Sequence, residues 1–481
     1  MTKTQIPMLV AGARVHGDEP LEVHHPYDGS PVATTTYATS EQVEAAVAAA
    51  DAARAVGERL PIHARAEALA AVSRKIQERA DEIAKLITAE NGKPMMWSRA
   101  EVGRAVSVFR WAAEETRKWS GEVMRLDTDP AAEGRMAYVR RVPKGPVLAI
   151  SPFNFPLNLV AHKVAPALAV GAPVVLKPAP KTPLSALLLG ELIAETDLPA
   201  GMFSVVNVKN EDAGDLVADP RLPVVSFTGS GPVGFAIQKQ VPDKHVVLEL
   251  GGNAAVIVAA DYASEADLDW ASTRIANFSN YQAGQSCIGV QRVFADTSLY
   301  DDLRGRIVTK VEALKTGDPR DEATFVGPMI DEAAARRVEE WVSAALDAGA
   351  TLLTGGTREG TTYAPTVLEG VPRDAKASCE ELFGPVELLE RVDGADAGIA
   401  AVNDSRFGLQ AGLFTHDLQT AFRAHRELQV GGLVVGDAPS YRADQMPYGG
   451  VKESGVGREG VRYTMQDFSY ERVMVLTGLD L

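Results

Sequence analysis

Two stretches carry residues that could do chemistry. Asn277 to Gly289 holds Cys287, one of only two cysteines in 481 residues. The thiol follows the small, polar turn Ala283-Gly284-Gln285-Ser286 and precedes Val290 to Ala295, which alternates like a strand. A thiol on such a turn, between a helix and a strand, can be presented into a cleft as a nucleophile. The competing reading is a small buried hydrophobe, the common state of a lone cysteine. The second stretch, Gly229-Ser230-Gly231-Pro232-Val233-Gly234, is a literal G-x-G-x-x-G after the apolar run Val224 to Thr228. Its glycines permit a tight turn, and N–H groups at the start of the helix that follows can approach a pyrophosphate. A glycine turn without a ligand is the alternative. The motif asks for an acid about 20 residues on, to bind ribose. Glu249 lies 20 residues after Gly229, in Leu248-Glu249-Leu250-Gly251-Gly252. That position is also a boundary between two α/β patterns, where a carboxylate facing the cleft could serve as a general base instead.

The elements that must position these residues can be read from pattern. Short strands flank the turn Pro26-Tyr27-Asp28-Gly29 within 21–37. Thr39 with Gln42 forms a capping box before an alanine-rich helix ending near Gly57. One helix from Pro61 to Asn91-Gly92 carries apolar residues at Leu69, Val72, Ile76, Ile83 and Leu86, and another runs from about Ser98 to Trp119. These helices need a sheet to cover. Strands at 146–150, 173–177, 203–206, 224–227 and 246–250 supply it, with helices at 183–196 (capped by Thr182 before Pro183), 211–218 and 232–240 between them. The spacing predicts an α/β fold with a doubly wound parallel sheet, which binds nucleotides at the carboxyl ends of its strands. After Gly252 the pattern restarts, with strands at 254–259 and 289–295 and helices at 264–280, 298–314 and 331–348. Residues 126–142 read as a hairpin outside either core. The expected division is a dinucleotide-binding domain over 1–125 and 146–251, a catalytic domain over 252–450, and bridging segments at 126–145 and 451–481.

The totals narrow the classes. Lys and Arg number 48 against 64 Asp and Glu, a net charge of −16 that argues against nucleic acid and anionic membrane as partners. Two cysteines 92 residues apart fit a reducing cytoplasm and no disulfide framework. No CxxC or HExxH spacing suggests a metal, and His24-His25, the only histidine cluster, reads as surface polar residues on a strand. Met1 to Pro20 lacks a basic region followed by an apolar run, so no signal peptide is read. The longest apolar run, Val164 to Leu176, is broken by Pro166, Gly171 and Pro173 and is too short to span a bilayer. A cytoplasmic, soluble protein is expected.

Seven motifs then occur in order: Ser151-Pro152-Phe153-Asn154-Phe155-Pro156, Leu176-Lys177-Pro178, Phe227-Thr228-Gly229-Ser230, Glu249-Leu250-Gly251-Gly252, Gly284-Gln285-Ser286-Cys287, Glu381-Leu382-Phe383-Gly384-Pro385, and Pro447-Tyr448-Gly449-Gly450 running on to Glu459. From about residue 22 to its end the chain resembles the NAD(P)-dependent aldehyde dehydrogenase superfamily. The resemblance implies a Rossmann-type cofactor domain, a second α/β catalytic domain and a β-hairpin oligomerisation element. It assigns Cys287 as nucleophile, Asn154 with the Cys287 N–H as oxyanion donors, Glu249 as general base and Lys163 as a proton relay. For NAD or NADP it implies Ser151, Pro152 and Phe153 near the dinucleotide, Lys177 at the adenosine ribose and Ser230 beside Gly229 at the pyrophosphate. Val233, Leu250 and Pro180 complete that wall, with Glu381 at the nicotinamide ribose and Phe383 near the ring. Pro180 stands where NAD-preferring members often carry glutamate, so NADP is compatible, and Lys181 offers a partner for a 2′-phosphate. Arg104, Phe155, Leu159, His162 and Tyr448 line the implied substrate tunnel, and Cys379 has no motif role.

The wording is nearest to the lactaldehyde, phosphonoacetaldehyde and non-phosphorylating glyceraldehyde-phosphate branch. Ser286, where phosphate-using branches can place arginine, argues against a phosphorylated aldehyde. The expected reaction is oxidation of a small polar aldehyde, such as lactaldehyde or a semialdehyde, to its carboxylate through a thiohemiacetal and a thioester. A CoA-acylating semialdehyde dehydrogenase and a non-catalytic binding protein on the same fold are the alternatives. A cysteine hydrolase built on Cys287, His162 and Asn154 would leave the dinucleotide motif without a use. The hairpin and the C-terminal strand imply a homodimer or homotetramer.

Overall fold

The computed structural model describes residues 5–478. The first four residues of the expected 1–125 segment and the last three of 451–481 lie outside the described residues. Thr39 caps α1 (Ser40–Arg59) as a capping box with Gln42. That helix ends two residues past Gly57, near the expected stop, and the Leu60 N–H closes it on the Gly57 carbonyl. Gly57 is also buried, and a Cβ there would fall 2.3 Å from the Gly171 carbonyl oxygen, so close packing requires the glycine. The single helix expected over 61–91 is two, α2 (Ile62–Glu78) and α3 (Ala80–Asn91), with Arg79 out of helical geometry between them. The Arg79 guanidinium grips Glu82 in the first turn of α3 at 2.8 and 2.7 Å, which favours a restart. Helix α4 spans Met95–Lys118.

The first sheet follows. Strands β1 (Val147–Ile150), β2 (Val174–Lys177), β3 (Phe203–Val205), β4 (Val224–Thr228) and β5 (His245–Glu249) run parallel in the order 3-2-1-4-5. Their order reverses between β1 and β4, the switch point at which such sheets open a ligand crevice. The sheet is buried on both faces, as parallel sheets are. Val147 and Ala149 meet the core formed with α2–α4, α5 (Asn158–Val170) and α6 (Leu184–Ala194). Leu148 and Ile150 meet α1 and α7 (Gly231–Gln240) on the other face.

The second sheet has β6 (Ala255–Val258), β7 (Arg292–Asp296), β8 (Thr366–Glu369), β9 (Val386–Val392), β10 (Gln410–Phe414) and β11 (Gly432–Val435), parallel in the order 8-9-7-6-10-11. Helix α8 (Glu265–Asn280) packs on it. The expected hairpin lies at Glu122–Arg125 and Arg135–Pro143, and Ser469–Thr477 adds the third antiparallel strand. The rest of 451–468 sits elsewhere. Gly455–Val456 pairs with β5, and Val461 and Met465 belong to the core of the first sheet. His24 is exposed as expected, whereas His25 is buried and accepts the Tyr27 N–H on Nδ1 at 3.1 Å.

Two helix starts near the crevice are capped from a distance. Thr182 was the expected cap of α6, yet its hydroxyl donates to the Phe153 carbonyl at 3.4 Å. The Leu184 and Ser185 N–H groups donate instead to Glu90 of α3, at 2.7 and 3.0 Å. Glu101 of α4 likewise accepts from Leu157 and Asn158 at the start of α5, at 2.9 and 3.0 Å, while pairing with the buried Lys93. Both carboxylates act on helix ends that have no local side-chain cap. Glu90→Ala strands the α6 donors in an apolar core and is expected to cost about 3 kcal/mol. A melting temperature equal to that of the parent would contradict this account.

Candidate active site

A cavity of about 1010 Å³ opens at the carboxyl ends of β1, β2, β4 and β5 and continues to the loop bearing Cys287. That loop leaves α8 through Gln282 and Ala283, both at positive φ (54° and 53°), and Gly284 at 66°. Non-glycine residues rarely adopt this geometry, and a Cβ on Gly284 would fall 2.0 Å from the Gly384 oxygen. The loop therefore approaches the Glu381–Pro385 segment as closely as backbone allows. Cys287 is partly buried on the cavity wall, with Sγ 3.2 Å from the Tyr448 hydroxyl. Burial pushes its thiol up to about 12, opposed by the Tyr448 hydrogen bond. Asn154 is tied to the same loop: its Nδ2 donates to the Gln285 carbonyl at 3.0 Å, and its own carbonyl accepts from the Gln282 side chain. One N–H of the Asn154 amide remains free of that bond.

Glu249, at the end of β5, is buried, and neither carboxylate oxygen has a hydrogen-bond partner. Burial, then the charge of Glu459, raises it well above the usual carboxylate range, while Arg442 and Lys163 pull the other way. Burial also opposes ionisation of Glu459, yet Lys163 and Arg442 outweigh it and hold that group at about 2. The Lys163 ammonium lies 3.3 Å from Glu459 Oε1 and donates to Ser226 at 3.1 Å, and Arg442 reaches Glu459 Oε2 at 3.0 Å.

The expected residues divide accordingly. Arg104, Asn154, Phe155, Leu159, Glu249, Cys287 and Tyr448 line the cavity at the thiol end. His162 and Lys163 do not line it; they sit fully buried behind it on α5, where the side chains of a helix interior face packed strands. His162 accepts from Arg442 on Nδ1 and so donates from Nε2 to Asp444, both at 3.2 Å. Burial and Arg442 lower it to about 4, so it is neutral. Asp444 also holds Arg104 at 3.1 Å. Sequence reasoning assigned no role to Arg442, Asp444 or Glu459. Arg442 and Asp444 stand in a polar stretch before Pro447 that carries no signal, whereas Glu459 sits between glycines and closes the last of the seven motifs.

At the other end, Ser151, Pro152, Phe153, Lys177, Pro180, Gly229, Ser230, Val233, Leu250, Glu381 and Phe383 line the cavity. Space beside Gly231 is open, while a Cβ on Gly234 would meet the Leu250 side chain at 2.5 Å. The start of α7, with no side-chain cap at Ser230, thus turns bare N–H groups toward a crevice. Lys177 donates to Asn210 at 2.9 Å and is lowered to about 8 by burial. Glu381 accepts the Gly252 N–H at 3.0 Å, is raised to about 7 by burial, and would be struck by any Cβ on Gly251. The Phe153 and Phe383 rings meet edge to face at 6.0 Å. Lys181 forms an ion pair with Asp331 and does not line the cavity.

A sequence model of the aldehyde dehydrogenase family matches residues 14–474. The chain belongs to the aldehyde dehydrogenase family. It is 43% identical over 459 residues to a 3-sulfolactaldehyde dehydrogenase of Priestia aryabhattai, covering 95% of each chain. The crystal structure of aldehyde dehydrogenase 21 from Physcomitrella patens, in complex with the reaction product succinate, superposes with a TM-score of 0.97 at 43% identity over 100% of both chains. The glyceraldehyde-3-phosphate dehydrogenase GapN of Methanocaldococcus jannaschii, complexed with NADP, gives a TM-score of 0.91 at 35% identity, covering 96% of this chain and 100% of that one. The enzyme thus shares a family and branch with proteins of the type its motifs resemble.

The geometry makes the protonation of Glu249 testable in the resting enzyme. In a pH titration, the infrared spectrum of the parent minus Glu249→Gln should show a protonated carboxyl band that persists above the range in which an ordinary carboxyl ionises. Glu459→Gln removes the neighbouring negative charge and frees two cations, so it should weaken that band. A difference spectrum showing only ionised carboxylate at this position would contradict the burial argument.

Proposed function

We propose that the enzyme oxidises a short, anionic aldehyde to its carboxylate, with NAD or NADP as hydride acceptor. One observation carries the reading: Cys287, Glu249 and two arginines, Arg104 and Arg442, share one cavity with a glycine turn and an uncapped helix start at its far end. A 3-sulfolactaldehyde and a succinate-yielding substrate, implied by the names of two similar proteins, are both anionic.

The cavity fits the dinucleotide by its own chemistry. The bare N–H groups at Ser230 and Gly231 suit a pyrophosphate, Lys177 and Glu381 suit ribose hydroxyls, and Phe383 packs near the ring. Pro180 leaves no carboxylate to repel a 2′-phosphate, and the GapN neighbour is complexed with NADP. A bound dinucleotide supplies the hydride acceptor. In the protein's part, the Cys287 thiolate attacks the aldehyde carbon, forming a C–S bond while the carbonyl electron pair moves onto oxygen. The Cys287 N–H and the free Asn154 N–H receive that oxyanion. Loss of hydride from the carbon leaves a thioester on Cys287. Glu249 then takes a proton from water, the water oxygen attacks the thioester carbon, and sulfur departs as thiolate. A general base in the same cavity as Cys287 supports hydrolysis over transfer to CoA.

Two free thiols support a cytoplasmic location. No helix among the described residues is long and apolar enough to cross a membrane. The three-stranded sheet leaves Met124, Val473 and Val475 exposed on one face and Val123, Tyr138 and Met474 on the other, apolar surface suited to further copies in a homodimer or homotetramer. Sedimentation velocity should show no monomer at micromolar concentration; a stable monomer would refute the assembly.

A panel of short aldehydes with NAD and NADP, with and without CoA, tests the reaction. Cys287→Ala should reduce no cofactor above background. Arg104→Ala should lower kcat/KM for anionic aldehydes by about tenfold to a hundredfold and leave neutral ones nearly unchanged. Both Cys287 and Glu249 hold their protons to higher pH than usual, so their reactive forms grow as pH rises. Turnover should therefore climb from neutral into alkaline pH, and a profile falling over that range would rule out the roles of both residues.

A further inference from the structure

Tyr448 is more than a wall of the substrate tunnel. Its hydroxyl lies 3.2 Å from Cys287 Sγ, within the range of an O–H···S hydrogen bond. Among the described residues, Tyr448 is the one side chain hydrogen-bonded to this sulfur. The Tyr281 hydroxyl is bound to Ser286 Oγ, and Asn154 Nδ2 points to the Gln285 carbonyl. Tyr448 is itself held from three sides. Its N–H donates to the Glu459 carbonyl at 3.0 Å, and its carbonyl accepts from the Glu459 N–H at 2.6 Å. The Arg442 guanidinium lies over its ring, 3.9 Å from the centroid, and Glu459 fixes that guanidinium in turn. The ring is buried, and a phenol clamped at backbone and face can aim its hydroxyl with little freedom.

We propose that the Tyr448 hydroxyl is a catalytic hydrogen-bond donor that holds the Cys287 sulfur as thiolate in its attacking position. The inference rests on the reading of Cys287 as nucleophile. A thiolate has no proton to give, so in that state the hydroxyl is the donor. Burial, and then the charges of Glu381 and Glu249, oppose negative charge on the sulfur, while the Tyr448 hydrogen bond and Arg442 favour it. Burial and the nearby Cys287 raise the Tyr448 phenol well above its usual range, so it keeps its proton throughout. During attack the sulfur electron pair passes to the aldehyde carbon and the carbonyl pair to oxygen, while the phenol proton stays on Tyr448. When the thioester is cleaved, the departing sulfur recovers the same donor, which makes it a better leaving group.

The test is alkylation of Cys287 by iodoacetamide in a Cys379→Ser background, without aldehyde or cofactor, as a function of pH. In this reaction the S–C bond forms, iodide leaves and the thiol proton passes to buffer. In Tyr448→Phe the rising limb should move up by about one pH unit, the shift expected for losing one hydrogen bond to a charged acceptor. At a fixed pH on that limb the rate should fall about threefold, since about tenfold less thiolate is partly offset by its greater basicity. Placing 3-fluorotyrosine at 448, whose phenol donates more strongly, should move the limb down and serves if the phenylalanine variant does not fold. An unmoved limb in both variants overturns the proposal, because a packing role would not couple the phenol to the sulfur's proton. Aldehyde oxidation that survives in Cys287→Ala while the limb still moves would overturn the nucleophile reading alone and leave the hydrogen bond supported.

Discussion

A carboxylate bridging two buried cations is the interaction on which the site depends. Glu459 pairs with Lys163 through one oxygen and Arg442 through the other, and all three side chains are almost fully excluded from water. Removing one partner of such a group typically costs about 3–5 kcal/mol, because the remaining charge has no solvent to return to. The three residues come from distant parts of the chain: α5, the segment before Pro447 and the turn after Gly457. Satisfying Glu459 therefore fixes those parts relative to one another. Through Ser226 the same cluster reaches β4, and through His162 and Asp444 it reaches Arg104 on α4. A site between two sheets gains its rigidity from this cluster rather than from either sheet alone.

The cluster also explains how Glu249 can be buried without a partner. Its two oxygens have no hydrogen bond, an arrangement that an isolated carboxylate would resolve by taking up a proton. Glu459 takes the pairing of Lys163 and Arg442 and leaves Glu249 to feel them only at a distance. Its proton affinity is then set by opposed terms of comparable origin, burial and Glu459 against two cations. A carboxylate free of a salt bridge of its own can exchange a proton during a reaction cycle, which one locked in such a pair cannot do.

Much of the fold was legible because local and long-range signals agreed. Alternation of short apolar runs with helical segments predicted the parallel sheets, and strand order 3-2-1-4-5 puts the glycine turn at the switch point. The misread cap has a clear cause: its partner lay far away in sequence. Thr182 looked like a cap, but Glu90, 94 residues from Leu184, caps α6. Apolar periodicity ran unbroken through Arg79, because the break there is in backbone angles and leaves the buried face continuous. At the site, the motifs named residues that share one cavity, while His162 and Lys163 turned out to stand behind its wall. Arg442 and Asp444 had no motif to mark them, and their importance comes from pairings with Glu459, His162 and Arg104 that no spacing rule predicts.

Arg442 is where these threads meet. It lines the cavity, pairs with Glu459, contacts His162 and covers the ring of Tyr448, whose hydroxyl touches the Cys287 sulfur. Its Nε has no hydrogen-bond partner although it is buried, so the guanidinium holds unused capacity for an acceptor. An anionic group on a substrate is such an acceptor, and Arg104 offers a second cation in the same cavity. Binding there would draw on the charge that Glu249 and Glu459 also feel. Under the proposed function, recognition of the substrate's anion and the proton affinity of the base therefore cannot be tuned independently. A lysine at 442 would keep the charge but lose the planar fork that serves Glu459, His162 and the tyrosine ring together. The geometry of this one guanidinium, more than its charge, ties substrate choice to the chemistry at Cys287.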